Sequence, residues 1–230
     1  MKFISYKNNG NIKLGAFEEG KIYDLHALDG HIADNMLEFL QGGEEQLQLA
    51  RAAMEDGSPT ISAEDVELIS PIPNPPSVRD AYAFRQHVAT ARRNRGLEMI
   101  PEFDEIPIFY FTNHHAVFGK GDFPVLSRHT EKLDFELECA AVIGKGGRNI
   151  SVIDADDYIA GFMIMNDLSA RALQMQEMKL NLGPAKGKDF GSTFGPWLVT
   201  KDELEPYKKS SADGDRYDLK MKAFVNDIQV

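Results

Sequence analysis

A pair of glutamates in the middle of this 230-residue sequence is the first feature that could do chemistry. Polar and apolar residues alternate from residue 133 to residue 139, which predicts a strand with Glu136 and Glu138 on the same side. The apolar run at residues 140–143 indicates that this strand enters a core. Partly buried carboxylates repel each other unless a cation lies between them, and oxygen ligands select hard ions such as Mg²⁺ or Ca²⁺. The alternative is a solvated strand surface, the commoner case for an isolated Glu-x-Glu pair.

A further carboxylate, Asp167, follows an apolar segment at residues 162–166 that we interpret as a buried strand. We predict a helix over residues 168–180, closed by Asn181. On such a helix Asp167, Arg171 and Gln174 fall on one face. That face could line a cleft, or it could meet water while Asp167 only caps the helix.

An acidic residue and a histidine lie close together in a third segment. We predict a helix from residue 80 to residue 95, on which Asp80 and His87 are two turns apart and share a face. A metal-directed carboxylate and a proton-accepting imidazole could then enter one site. A structural role for His87 is the alternative, because five other histidines compete for a catalytic one. Two of them, His114 and His115, are adjacent and would face opposite ways on a strand.

A glycine-rich run at residues 183–197 carries the fourth candidate, Lys188. It is not a nucleotide-binding P-loop, because only three residues separate its first glycine from Gly187-Lys188 and an aspartate follows. The segment is therefore either a plain loop or one that places Lys188 as a cation over a reacting oxygen.

A proline-rich stretch divides the sequence into two parts. Residues 2–7, 13–17 and 21–25 predict strands joined by glycine turns, and residues 34–53 predict two short helices. Prolines at residues 71–76 favour an extended connector. We therefore predict a small N-terminal domain over residues 1–70, a linker over 71–78 and a larger domain over 79–230.

Composition excludes several classes of protein. A net charge of −11 argues against a nucleic-acid partner, because phosphate binding needs clustered Lys and Arg. Hydrophobic residues make up 43% of the chain and charged residues 27%, which is typical of globular proteins. The single cysteine, Cys139, fits a reducing compartment, and neither a signal peptide nor a membrane-spanning segment is visible. We expect a soluble, cytoplasmic protein without a membrane partner.

Four segments, in this order along the chain, resemble the fumarylacetoacetate hydrolase family from about residue 79 to residue 230. They are Arg79-Asp80-x-Tyr82 with Arg85-Gln86-His87, Glu136-x-Glu138 before Val142-Ile143-Gly144-Lys145, Asn166-Asp167-x-Ser169-Ala170-Arg171 with Gln174, and Gly187-Lys188-x-Phe190 ahead of Gly195-Pro196-Trp197. The resemblance implies a divalent-metal site for Mg²⁺ or Ca²⁺, with Mn²⁺ also accepted, whose ligands are Asp80, Glu136, Glu138 and Asp167. It implies that His87 is the catalytic base, that Lys188 and Gln174 hold the reacting carbonyl and its oxyanion, and that Tyr82 contacts substrate.

The same resemblance implies the architecture. The expected fold is α+β and mainly β, a mixed β-roll or β-sandwich behind a small N-terminal α+β domain, and the expected assembly is a homodimer. Members of the family continue past the segment that corresponds to residue 230, so we expect the chain to be incomplete at its C-terminus. Leu168 and Met178 depart from residues common in the family, which leaves the substrate open.

The function implied is metal-dependent hydrolysis of a carbon–carbon bond in a 1,3-diketone acid of the fumarylacetoacetate or acylpyruvate type, in aromatic catabolism. The sequence agrees with this in having no nucleophile elbow of the form Gly-x-Ser-x-Gly. One alternative is a decarboxylase or tautomerase that acts on oxaloacetate-like acids through the same enolate chemistry. Another is a non-catalytic or truncated scaffold that binds keto acids.

Overall fold

The computed structural model of the chain describes residues 1–212 and 214–230. The strands are β1 (Lys2–Asn8), β2 (Asn11–Glu18), β3 (Lys21–Asp24), β4 (Ile61–Ser62), β5 (Glu67–Ile69), β6 (Val78–Asp80), β7 (Tyr110–Thr112), β8 (Val117–Phe118), β9 (Leu133–Asp134), β10 (Leu137–Ile143), β11 (Ile159–Asn166), β12 (Ser169–Ala170), β13 (Ser192–Thr200), β14 (Lys208–Ser211), β15 (Gly214–Tyr217), β16 (Phe224–Val225) and β17 (Ile228–Gln229). The α-helices are α1 (Leu25–Leu28), α2 (Met36–Gln41), α3 (Gly43–Asp56), α4 (Arg85–Asn94), α5 (Glu102–Glu105), α6 (Ser127–Thr130), α7 (Arg171–Glu177) and α8 (Lys201–Leu204). Turns of 3₁₀ helix span Val152–Tyr158, Met178–Leu180 and Glu205–Tyr207.

One large sheet joins strands from both ends of the sequence. Its order is β10-β11-β13-β1-β2-β3-β4, with β5 paired to β1 and β8 paired to β13. The pairing of β1 with β13 is antiparallel and places Lys2 opposite Val199 and Phe3 opposite Leu198. Strands from both sides of the linker predicted at residues 71–78 therefore belong to one sheet. The domain division stays a prediction.

The apolar core lies against this sheet and also draws on both ends of the chain. Its buried side chains include Phe3, Leu14, Leu25, Phe39, Ala50, Met163, Met165 and Leu198. Helix α2 contributes Phe39 to this core and α3 contributes Ala50. Asn35 caps α2 by accepting the Glu38 N–H. The mainly β, α+β architecture that the sequence predicts is confirmed.

Three predicted elements differ in their bounds. Residues 78–80 form β6, paired to β7, and the helix predicted from residue 80 begins only at Arg85. The register of that pairing sets Asp80 opposite Tyr110, so Asp80 and His87 do not share a helical face as predicted. The strand predicted over 133–143 is broken between β9 and β10, and the helix predicted over 168–180 begins at Arg171 because residues 169–170 pair with β9 as β12. Helix α7 ends at Glu177, and the 3₁₀ turn that follows it closes at Asn181, which has a left-handed φ of 55°.

No helix within the described residues has the length and apolar character needed to cross a membrane.

Candidate metal and active site

Four carboxylates that are far apart in the sequence meet in space. Asp80, Glu136, Glu138 and Asp167 each offer one oxygen, and these oxygens all lie within 4.8 Å of one another. The structure therefore brings together the four side chains that the sequence analysis assigned as metal ligands. Asp167 is fully buried, with 0% of its surface exposed, whereas the two glutamates are half-buried.

Strand ends and one strand break position these carboxylates. Glu138 lies on β10 opposite Met165 of β11, and Asp167 directly follows β11. Glu136 lies in the break between β9 and β10, where its backbone N–H donates to Asn166 Oδ1 at 3.1 Å. The break removes the strict alternation that the sequence predicts, yet Glu136 still reaches the same cluster as Glu138.

Tyr110 links the carboxylate of β6 to the carboxylate that follows β11. Its hydroxyl oxygen lies 2.7 Å from Asp80 Oδ2 and 2.7 Å from Asp167 Oδ2. A phenol has one proton, so the hydroxyl donates to one of the two carboxylates at a time. Burial, followed by the negative charge of Asp167, raises the pKa of Tyr110 above its usual range, so the phenol stays protonated at neutral pH.

Among the residues that the structure describes, two cations contact the cluster. Lys188, 3% exposed, donates from Nζ to Glu136 Oε2 at 2.6 Å and to Asp167 Oδ2 at 2.5 Å. Arg171 donates from Nη2 to Glu136 Oε1 at 2.6 Å and from Nε to Asp134 Oδ2 at 2.8 Å. Burial alone would lower the pKa of Lys188, but the carboxylates of Asp167 and Glu136 raise it, so the ammonium stays charged.

Glu138 differs from the other three carboxylates in its hydrogen bonding. No residue in the ranges 1–212 and 214–230 donates a hydrogen bond to its carboxylate. Burial, and then the charges of the three neighbouring carboxylates, raise the pKa of Glu138 to about 8. Burial likewise raises the pKa of Asp167.

The four carboxylates of the cluster fit a hard dication. Within residues 1–212 and 214–230, the four carboxylates outnumber the two cations that contact them, so this cluster retains negative charge when all four are ionised. Oxygen-only ligands of this kind suit Mg²⁺, Ca²⁺ or Mn²⁺, whereas Zn²⁺ favours nitrogen and sulfur. A bound dication would relieve the repulsion that raises the pKa of Glu138.

The other predicted site residues lie outside this hydrogen-bonded cluster. His87 is exposed on α4 and, within the described residues, makes no hydrogen bond to the four carboxylates. Tyr82 is 53% exposed and stacks on Phe103, with ring centroids 6.0 Å apart. Gln174 is connected to the cluster indirectly, because its Oε1 accepts a hydrogen bond of 3.1 Å from Arg171.

Sequence reasoning missed two residues that contact the cluster, Tyr110 and Ser192, and it did not show the contacts of a third, Arg171. Tyr110 lies between Phe109 and Phe111, and nothing in that local pattern distinguishes it from an ordinary strand aromatic. Ser192 donates to Asp167 Oδ1 at 3.3 Å. Arg171 was placed on a candidate face, but its contacts with Asp134 and Glu136 depend on the pairing of β9 with β12, which sequence spacing does not show.

Comparison with known proteins identifies the family to which the chain is similar. Residues 77–230 match the family model described as fumarylacetoacetate hydrolase, C-terminal. A mitochondrial oxaloacetate tautomerase of Xenopus laevis is 30% identical over 209 residues, which cover 89% of this chain and 63% of that protein. The homologue in Rattus norvegicus is 31% identical over 209 residues, covering 90% of this chain and 61% of that protein. The chain thus spans less than two thirds of the length of these relatives. A fumarylacetoacetase of Arabidopsis thaliana is 53% identical over a shorter stretch of 81 residues, 34% of this chain and 19% of that protein.

Solved structures show the same fold. A fumarylacetoacetate hydrolase from Exiguobacterium antarcticum superimposes with a TM-score of 0.63 at 25% identity, covering 90% of this chain and 69% of that one. A maleylpyruvate hydrolase from Sphingobium sp. SYK-6, solved with manganese(II) and pyruvate, gives a TM-score of 0.65 at 21% identity and covers 94% of this chain and 76% of that one. The carboxylate cluster lies within the matched residues, and the chain belongs to the fumarylacetoacetate hydrolase family.

Proposed function

We propose that this chain hydrolyses a carbon–carbon bond in a 1,3-diketone acid with the help of a divalent metal ion. The observation that carries the proposal is the convergence of four carboxylates within 4.8 Å of one another, with the buried ammonium of Lys188 in the same cluster. Negative ligands beside a fixed positive charge suit a substrate that binds through oxygen atoms and develops negative charge as it reacts.

Asp80, Glu136, Glu138 and Asp167 would hold the metal. When bound, Mg²⁺, Mn²⁺ or Ca²⁺ supplies Lewis acidity that withdraws electron density from the oxygens of the keto acid. Manganese and pyruvate occupy the maleylpyruvate hydrolase named above, which supports a hard dication and a 2-oxo acid as the matching pair of ligands.

The side chains of the protein would carry the remaining steps. His87 accepts a proton from water as the water oxygen adds to a carbonyl carbon of the substrate. Lys188 and Gln174 donate to the oxyanion that forms, an effect worth roughly 2.7–4 kcal/mol per donor in comparable sites. The bond between that carbon and its methylene neighbour then breaks, its electron pair goes to the methylene carbon, and His87 returns to that carbon the proton it took from water. Tyr82 would contact the substrate beside His87.

Because His87 is exposed on α4, this mechanism requires α4 to bring the imidazole closer to the carboxylates. Helix α4, which carries His87, is tied to α5 by Arg85, whose Nε donates to Asp104 Oδ1 at 2.8 Å. We propose that substrate draws this segment toward the carboxylates, because general-base catalysis needs the imidazole within hydrogen-bond reach of the attacking water.

Tautomerisation of oxaloacetate is the second candidate. It is favoured by the two relatives that match about nine tenths of this chain, both of which are named as oxaloacetate tautomerases. The reaction moves a proton between carbon and oxygen without attack by water, so it does not require His87 to activate a water molecule.

One experiment separates the candidates. The purified chain is supplied with Mg²⁺ or Mn²⁺, and the loss of diketone absorbance from fumarylacetoacetate and acetylpyruvate is followed beside enol-to-keto conversion of oxaloacetate. We expect hydrolysis of a diketone. EDTA should abolish it, and His87→Ala should reduce its rate by about 10²–10⁴-fold. His31→Ala, at a side chain that is 87% exposed, is the matched control.

Conversion of oxaloacetate without loss of either diketone would favour the second candidate. If calorimetry shows no binding of divalent cations and neither reaction occurs, the chain is the non-catalytic scaffold instead. The homodimer and the role in aromatic catabolism stay predictions.

A further inference from the structure

A carboxylate outside the cluster receives three consecutive backbone N–H groups. Glu177, the last residue of α7, accepts from Ala185 at 2.9 Å and from Gly187 at 3.0 Å through Oε1, and from Lys186 at 2.6 Å through Oε2. Adjacent backbone N–H groups that converge in this way form a concave site for an anion. In this protein Glu177 supplies the anion from within the chain.

The three N–H groups belong to the residues that immediately precede Lys188. The Gly187 carbonyl accepts from the Ala170 N–H at 2.9 Å, which fixes the same loop to β12. Gly187 also packs tightly on α7, because a Cβ added at this position would lie 2.8 Å from the backbone nitrogen of Gln174. The loop before Lys188 is therefore attached to α7 through Glu177 and to β12 through Ala170.

We propose that Glu177 is a positioning residue for Lys188. The Lys188 ammonium must reach Glu136 and Asp167 together, at 2.6 Å and 2.5 Å, so its backbone has little freedom to move. By holding residues 185–187, Glu177 sets the place from which the Lys188 side chain extends. This inference rests on the proposed function in one respect, namely that Lys188 acts on the substrate.

A carboxylate suits this task better than an amide. Glutamine keeps one acceptor oxygen, which can still serve Ala185 and Gly187, but it places an NH₂ group against the Lys186 N–H. Hydrogen bonds to an ionised acceptor are also stronger than those to a neutral one. The order of loop stability should therefore be wild type, then Glu177→Gln, then Glu177→Ala.

The test combines single and double variants of the full chain. Glu177→Ala, Glu177→Gln and Lys188→Met are made singly, and each Glu177 variant is also combined with Lys188→Met. Gln176→Ala, at the exposed neighbour on α7, is the control. Three quantities are measured: kcat and KM on whichever substrate the wild type turns over, the Mn²⁺ dissociation constant by calorimetry, and amide hydrogen exchange at residues 185–187.

We expect Glu177→Ala to lower kcat by about 10- to 100-fold, the cost of misplacing a catalytic group by about 1 Å, with a smaller change in KM. Glu177→Gln should lose less, Gln176→Ala nothing, and exchange at residues 185–187 should accelerate in the same order. In the Lys188→Met background, removing Glu177 should change neither kcat nor the Mn²⁺ dissociation constant further. Should Glu177→Ala fail to fold, the isosteric Glu177→Gln provides the same comparison.

Equal losses with and without Lys188 would overturn the proposal, and so would unchanged amide exchange at residues 185–187. Failure of the proposed function looks different. In that case wild type and Lys188→Met are equally inactive on both diketones. The amide exchange rates, and the comparison of Mn²⁺ binding with and without Lys188, still decide whether Glu177 positions Lys188.

Discussion

At the scale of single residues, Glu138 is where metal binding and protonation compete most directly. Its carboxylate accepts no hydrogen bond from the described part of the chain, and its pKa is raised to about 8. Glu138→Gln removes one metal ligand, so we expect Mn²⁺ affinity to fall by more than about tenfold. That value is the smallest loss of affinity usual for substitutions around a metal site. Calorimetric titration measures this, and Glu64→Gln at an exposed position is the control. Unchanged affinity in Glu138→Gln would remove this residue from the metal site.

The same carboxyl predicts how stability depends on pH without metal. Its pKa is about 4.5 in the unfolded chain and about 8 in the folded one, so the native state holds the extra proton between these values. The free energy of unfolding therefore falls as pH rises from about 4.5 to about 8. The raised pKa of Asp167 acts in the same direction. Thermal melts of the EDTA-treated protein across this range should show the decline, and Glu138→Gln should flatten it. A melting temperature that rises with pH in this window would contradict the assignment.

Lys188 allows catalysis and metal binding to be separated. The ammonium lies within 2.6 Å of Glu136 and Asp167 and competes electrostatically with a dication for both. Lys188→Met should lower turnover by about 10²–10³-fold, because a donor to the oxyanion is lost. It should also tighten Mn²⁺ binding, because a positive charge leaves the site. Kinetics and calorimetry on one protein sample test both effects. Weaker Mn²⁺ binding would indicate that Lys188 serves mainly to hold the ligands in place.

At the scale of elements, β11 is the strand on which the site depends, because it pairs with β10 and leads into Asp167. Gly161 in this strand lies against β13 so closely that an added Cβ would be 2.2 Å from the Val199 carbonyl oxygen. Gly161→Ala should therefore lower the free energy of unfolding by about 1–3 kcal/mol, the usual cost of overpacking. Gly146→Ala is the control, since a Cβ there meets nothing within 4 Å. Urea unfolding measures the difference, and equal stability of the two variants would show that β11 and β13 can separate at little cost.

At the scale of the whole molecule, the question is whether the residues before and after the proline-rich stretch are independent. Strand β1 pairs with β13, and the start of the stretch is itself packed, because the Pro71 carbonyl accepts from Ser5 Oγ at 2.7 Å and Ile72 belongs to the core. We expect a protease site inserted before the exposed Ser77 to give two fragments that stay together after cleavage. Size-exclusion chromatography with and without denaturant tests this. Fragments that separate in native buffer would support an independent N-terminal domain.

The amino-acid sequence by itself determined what local patterns can specify. Short runs between glycine turns predicted the three N-terminal strands, Asn181 marked the end of a helical segment, and the residue types and spacing of Glu136 and Glu138 indicated a hard cation. These features depend on neighbours a few positions away, so periodicity and spacing are sufficient to find them.

Only the tertiary structure decided how distant segments meet. Asp80 joins the site through the pairing of β6 with β7, which also delivers Tyr110, and Arg171 reaches Glu136 because β12 pairs with β9. The same holds for the pairing of Lys2 with Val199. Strand pairings between remote segments are selected by shared hydrogen bonds and by the burial of a common core, and neither is encoded in the local period of either strand.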